Sequence, residues 1–113
     1  MFFYNRHELP SKEVLPGIML RSVYVKNTMM TFFDIQPGRR IPPHKHPHEQ
    51  ISYLVKGSMN MTVGGETRAM KEGDIAVIPP NVEHSVEVGV EPVFALDAWY
   101  PVREDYILDK RQQ

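Results

Sequence analysis

The sequence predicts an all-β protein, a sandwich or closed barrel of about eight to ten short strands, on three observations. Ten prolines and seven glycines punctuate its 113 residues, so no run keeps a helical period between good caps. The stretches between them are rich in β-branched and aromatic residues. Two-residue turn signals recur at hairpin spacing.

Residues 17–25 and 28–36 read as strands joined at Lys26-Asn27, and Pro37-Gly38 turns the chain. Strands over 50–55 and 58–63 flank Lys56-Gly57, and Gly64-Gly65 leads into a strand over 66–70. Glu72-Gly73-Asp74 turns into the apolar run 75–78, which stops at Pro79-Pro80. Asn81 stands at a turn position, where asparagine tolerates positive φ. Residues 84–88 and 92–99 complete the set. Phe2-Phe3-Tyr4 reads either as a strand pairing with another chain or as a contribution to the core. The chain is expected to form one domain over 1–113, long enough for one core.

Composition removes several functional classes. Thirteen Lys and Arg against fourteen Asp and Glu leave a net charge of -1, so no basic field gathers nucleic acid or an anionic membrane. No cysteine is present, which excludes disulfides, thiolate nucleophiles and Cys-type zinc sites. The apolar start Met1 to Tyr4 is too short for a signal-peptide core, and no segment approaches the ~20 apolar residues of a membrane span. A cytoplasmic protein is the expectation.

Histidine is where chemistry concentrates. In an extended strand alternate side chains share a face, so His44 and His46 can aim two imidazoles at one place. Strict alternation would add His48, the break at Pro47 argues against it, and the residues alone do not choose between His48 and Gln50. The frame is wider than one pair. Gly38, His44, His46, Gln50 and Gly57 are followed by Gly73, Pro79, Asn81 and His84 at fixed intervals, and together these resemble the two motifs of the cupin family. The resemblance implies a double-stranded β-helix, a jelly-roll barrel, that binds one divalent metal ion through His44, His46, Gln50 and His84. Most cupins carry glutamate where Gln50 stands, leaving Glu49 as an alternative acidic ligand. A neutral ligand set leaves the ion its full charge and suits an anionic substrate. Nickel, zinc, manganese and iron all fit nitrogen and oxygen donors.

A second constellation lies in FALDAWYPVRED. Ala95, Asp97 and Trp99 share one strand face, and Arg103 follows Pro101. One reading pairs Asp97 with Arg103 and buries Trp99 as core. The other makes Asp97 a proton carrier, Trp99 a wall for a sugar ring and Arg103 a clamp for a carboxylate. Met59 and Met61 read as pocket lining or core. The runs 46–53, 64–66, 78–82 and 101–105 resemble the KdgF-like cupins of pectin degradation. That resemblance implies catalytic roles for Asp97 and Arg103, substrate contacts from Trp99 and Arg103, a uronate substrate and a homodimer. It further implies ring opening of 4,5-unsaturated monouronates from pectin or alginate to linear keto forms. The family aromatic is usually phenylalanine, so Trp99 reshapes the pocket. A metal-dependent dioxygenase and a non-catalytic sugar-acid sensor are the alternatives.

Overall fold

The computed structural model describes residues 2–112. Alternation builds its two sheets. In β2 (Ile18–Tyr24) and β3 (Met29–Ile35) every second side chain is buried, beginning with Ile18 and Met29. β5 (Glu49–Lys56) and β10 (Val93–Tyr100) repeat the pattern. With β1 (Lys12–Leu15) and β8 (Ile75–Ile78) these strands form one antiparallel sheet in the order β1-β2-β3-β10-β5-β8. The second sheet contains β4 (Arg40–His44), β6 (Met59–Val63), β7 (Glu66–Met70) and β9 (His84–Val88) in the order β4-β9-β6-β7. The two sheets enclose one apolar core, in which Ile18, Leu20 and Leu54 are fully buried. Each such side chain contributes about 1.5–3 kcal/mol by leaving water.

The all-β expectation therefore holds, and all eight stretches read as strands are strands. β1 and β4 are additions. β1 is largely exposed and carries no clear alternation, which hides it from a pattern reading. Residues 2–5 belong to neither a strand nor the core: Phe2 and Phe3 stand 94% and 85% exposed ahead of a 3-10 turn at Arg6–Glu8. No helix among the described residues is long and apolar enough to cross a membrane.

Two turns fix how the sheets meet. Gly57 has φ +92°, and a Cβ there would sit 2.4 Å from the Pro92 carbonyl oxygen, so the close approach of this turn to the start of β10 requires glycine. Asn81 adopts φ 62°, as its residue type allows. Its backbone N–H donates to the His46 carbonyl at 2.8 Å. The two sequence frames that carry the histidines are thereby joined through the backbone.

Candidate metal centre

His44 and His84 are direct register partners across β4 and β9. A bulge makes this possible. From Ile41 opposite Val86 the pairing slips by one residue before His44 meets His84. Ile41 lines the interior cavity, so regular alternation would turn position 43 inward and His44 outward; the extra residue reverses the phase. The slip occurs at Pro42-Pro43 on an edge strand, where missing N–H groups are tolerated. β4 ends at His44, so His46 lies in the connection to β5 rather than on the same strand, and strict alternation does not carry to His48.

The three imidazoles nevertheless converge. One ring nitrogen from each of His44, His46 and His84 lies within 4.8 Å of the others, and ring centroids are 4.2 Å apart for His44–His84 and 4.8 Å for His46–His84. Each ring spends its Nδ1 on a backbone carbonyl, that of Pro42, His48 or Val82, at 2.9–3.1 Å. Because a carbonyl only accepts, each Nδ1 carries the proton and each Nε2 presents a lone pair. Burial lowers the pKa of His46, and takes that of His84 down to about 4, so both rings are neutral at pH 7. His84 Nε2 is buried without a partner.

Gln50 places an amide oxygen beside this group. Its Nε2 donates to Asp97 Oδ2 at 2.6 Å, since a carboxylate can only accept. That orientation leaves Oε1 3.0 Å from His46 Nε2. Two lone-pair acceptors facing at that distance repel unless a positive charge lies beside both. An orphaned imidazole nitrogen, a neutral donor set and two opposed acceptors fit a divalent cation. Glu49 instead points to solvent at the start of β5, and His48 lies outside the three-histidine group.

Asp97 is 5% exposed on the inner face of β10, opposite Ser52 in the register. Ser52 Oγ donates to Asp97 Oδ1 at 2.8 Å. Burial pushes the Asp97 carboxyl up to about 6, against the lowering effect of the two hydrogen bonds. Asp97 is therefore bound to Gln50 and Ser52, and the pairing with Arg103 that the sequence allowed is absent. Arg103 forks onto Asp105 at 2.6 and 3.2 Å, with its guanidinium 3.9 Å from the Tyr106 ring and 4.9 Å from that of Trp99. Burial alone would raise the Asp105 carboxyl, and Arg103 more than offsets this to hold it below the usual range. Trp99 is 4% exposed and gives its indole N–H to Thr31 Oγ1 at 2.8 Å, so it is a fixed wall as well as core.

His44, Gln50, Ser52, His84, Asp97, Trp99, Arg103 and Asp105 border one cavity of about 280 Å³. Sequence reading missed Lys12, Ser52, Asp105 and Tyr106 among its lining residues. Ser52 was legible as a polar residue two positions from Gln50 on one strand face; Lys12 was not, because its strand was not.

The cupin domain model matches residues 31–99. The chain belongs to the cupin family. A pectin degradation protein, KdgF of Dickeya dadantii (strain 3937), is 31% identical over 107 residues, covering 93% of this cupin and 97% of that protein. The H2HPP isomerase of Bacillus subtilis is 36% identical over 84 residues, but this cupin spans only 36% of its length. Among solved structures, KdgF from Halomonas sp. superposes with a TM-score of 0.86 at 29% identity, over 93% of this cupin and 97% of that chain.

Proposed function

We propose that this cupin opens the ring of 4,5-unsaturated monouronates, the fragments that lyases release from pectin or alginate, and delivers the linear keto acid. The observation that carries the reading is a buried carboxylate, Asp97, on the wall of a cavity of about 280 Å³ and tied through the Gln50 amide to His46, one of three converging imidazoles. End-to-end likeness to KdgF supports the substrate class.

His44, His46, His84 and Gln50 would hold a divalent ion, which supplies Lewis-acid stabilisation of negative charge developing on oxygen. Asp97 takes the proton from the C1 hydroxyl. The freed electron pair forms the C1 carbonyl, the bond from C1 to the ring oxygen breaks, and its electrons leave that oxygen as an enolate on C5. Asp97 then returns the proton to C4, the C4–C5 double bond is consumed and the C5 ketone forms. Atoms and charge balance, so the conversion is an isomerisation with no co-substrate. Ser52 and Gln50 keep the carboxylate aimed through both transfers, and its raised pKa suits a group that must accept and release one proton near neutral pH. Trp99 walls the sugar ring, and Arg103 offers its guanidinium to the substrate carboxylate.

The test is to add the purified, metal-loaded protein to an unsaturated monouronate and follow the ultraviolet absorbance of the conjugated double bond. Accelerated loss is expected. Saturable binding without loss would make the protein a sensor, and oxygen consumption in step with product would make it a dioxygenase; either result removes the proposal. Elemental analysis of the protein as purified identifies the ion.

A further inference from the structure

The turn that carries Arg103 and Asp105 is pinned to the barrel. Ser22, buried on the inner face of β2, donates its hydroxyl to the Tyr106 carbonyl at 2.6 Å. The Tyr106 N–H in turn donates to the Arg103 carbonyl at 3.0 Å and closes the 3-10 turn over Glu104–Tyr106. The Tyr106 ring meets Trp99 and Phe33 edge-on, with centroids 5.6 and 6.1 Å away. A short segment past the last strand therefore reaches the cavity wall on a fixed support.

On that support Arg103 is held in two different ways. Its guanidinium lies 3.9 Å from the centre of the Tyr106 ring and 4.9 Å from that of Trp99. Contact with a ring face sets the distance of the guanidinium from the ring, but leaves it free to rotate within its own plane. Two hydrogen bonds remove that freedom, because Nε and Nη2 donate to the two oxygens of Asp105 at 3.2 and 2.6 Å. A guanidinium carries five N–H groups in a rigid fork. With one on Nε and one on Nη2 given to Asp105, Nη1 and the second N–H of Nη2 form the adjacent edge, a parallel pair that matches a second carboxylate.

We propose that Asp105 is a positioning residue for the substrate carboxylate: by holding one edge of the Arg103 guanidinium, it presents the adjacent edge to the anion in the cavity. This role rests on Arg103 as the carboxylate clamp of the ring-opening reaction and refines it. Two effects of Asp105 on an anionic ligand oppose each other. Its charge repels the ligand, whereas its hydrogen bonds keep Arg103 in the binding orientation. The Asp105 side chain is 60% exposed against 14% for Arg103, so water and salt screen the repulsion. Orientation is not screened. Without Asp105 the long arginine side chain regains rotamer freedom, and each binding event has to order it again. Positioning therefore outweighs repulsion.

Titration calorimetry of the metal-loaded protein with galacturonate, a saturated monouronate, reads this effect apart from turnover. Asp105→Asn should raise the galacturonate Kd by about 10-fold, and the KM for an unsaturated monouronate with it, while kcat stays within a few-fold of wild type. In an Arg103→Ala background the same substitution should change neither constant, a result that a general loosening of the fold would not give. Glu104→Gln, an exposed neighbour on the same turn, should leave both constants unchanged. A Kd that Asp105→Asn leaves unaltered or lowers overturns the proposal, the lowered value meaning that repulsion dominates. So does an undiminished effect in the Arg103→Ala background. Turnover with an unaltered Kd removes the role of Asp105 and leaves ring opening standing; weakened galacturonate binding without any turnover supports the role and removes ring opening.

Discussion

The two walls of the barrel obey opposite rules. On β6 and β9, Met59, Met61, Val86 and Val88 are buried while Asn60 and Glu87 are exposed, the ordinary division of a half-wet sheet. On β5 and β10 the interior holds Gln50, Ser52 and Asp97, and the exterior holds Ile51, Tyr53, Leu96 and Ala98. Both walls keep a period of two, so alternation alone does not distinguish them. What differs is which phase is polar. Burying polar groups costs free energy unless each finds a partner, and here the amide, hydroxyl and carboxylate satisfy one another. Inward polarity marks the chemistry.

Removing the inward carboxylate should break the contrast most severely. Asp97→Ala is expected to lower kcat by about 10²–10⁴-fold with metal content unchanged, as measured by ultraviolet turnover and elemental analysis; an unaffected rate would remove Asp97 from the mechanism. His84→Ala comes from the ordinary wall and should act differently. It should weaken metal retention by roughly 100-fold, read by competition with a chromophoric chelator, and full occupancy in the variant would exclude His84 as a ligand.

The same carboxylate has a signature in stability. Its pKa stands near 6 in the folded chain against 3.8 in the reference state, so the native state favours the protonated form. That contribution is complete below pH ~4 and is lost as pH rises through 6. Asp97→Asn cannot ionise. In chelator-treated protein it should therefore exceed the wild type in stability by up to about 3 kcal/mol at pH 8 and match it at pH 4, as read from denaturant unfolding. By the same reasoning wild-type turnover should rise with pH through about 6 as Asp97 ionises.

Smaller effects sharpen the contrast. Lys12→Ala, at the cavity edge contributed by β1, should raise KM a few-fold with kcat retained; an unchanged KM would mean that the amine does not reach the substrate. Met61→Leu on the ordinary wall should cost less than about 1.5 kcal/mol and leave turnover within a few-fold of wild type.

Much of this was legible in the sequence. Punctuation by Pro and Gly gave the all-β class and eight strands, and the resemblance to the cupin motifs, not the residues alone, grouped His44, His46, Gln50 and His84. That Asp97 and Trp99 share one face followed from a period of two, while which face points inward did not. What stayed hidden had physical causes. Arg103 is two residues from Asp105 and six from Asp97, and only the 3-10 turn at Glu104–Tyr106 decides which carboxylate it meets. β1 is a short edge strand with only Val14 half-buried against the core, too little for a pattern to announce it. The slip in β4 is equally silent, because Pro42-Pro43 shows where a ladder weakens but not that it gains a residue.

That slip bears on how such a protein can drift over time. His44 faces inward because one surplus residue inverts the phase between Ile41 and the histidine. Replacing Pro42 or Pro43 with another amino acid keeps the count, whereas losing or gaining a single codon there would rotate the imidazole out of the barrel. In this segment the number of residues decides where the imidazole points, and their identity matters less.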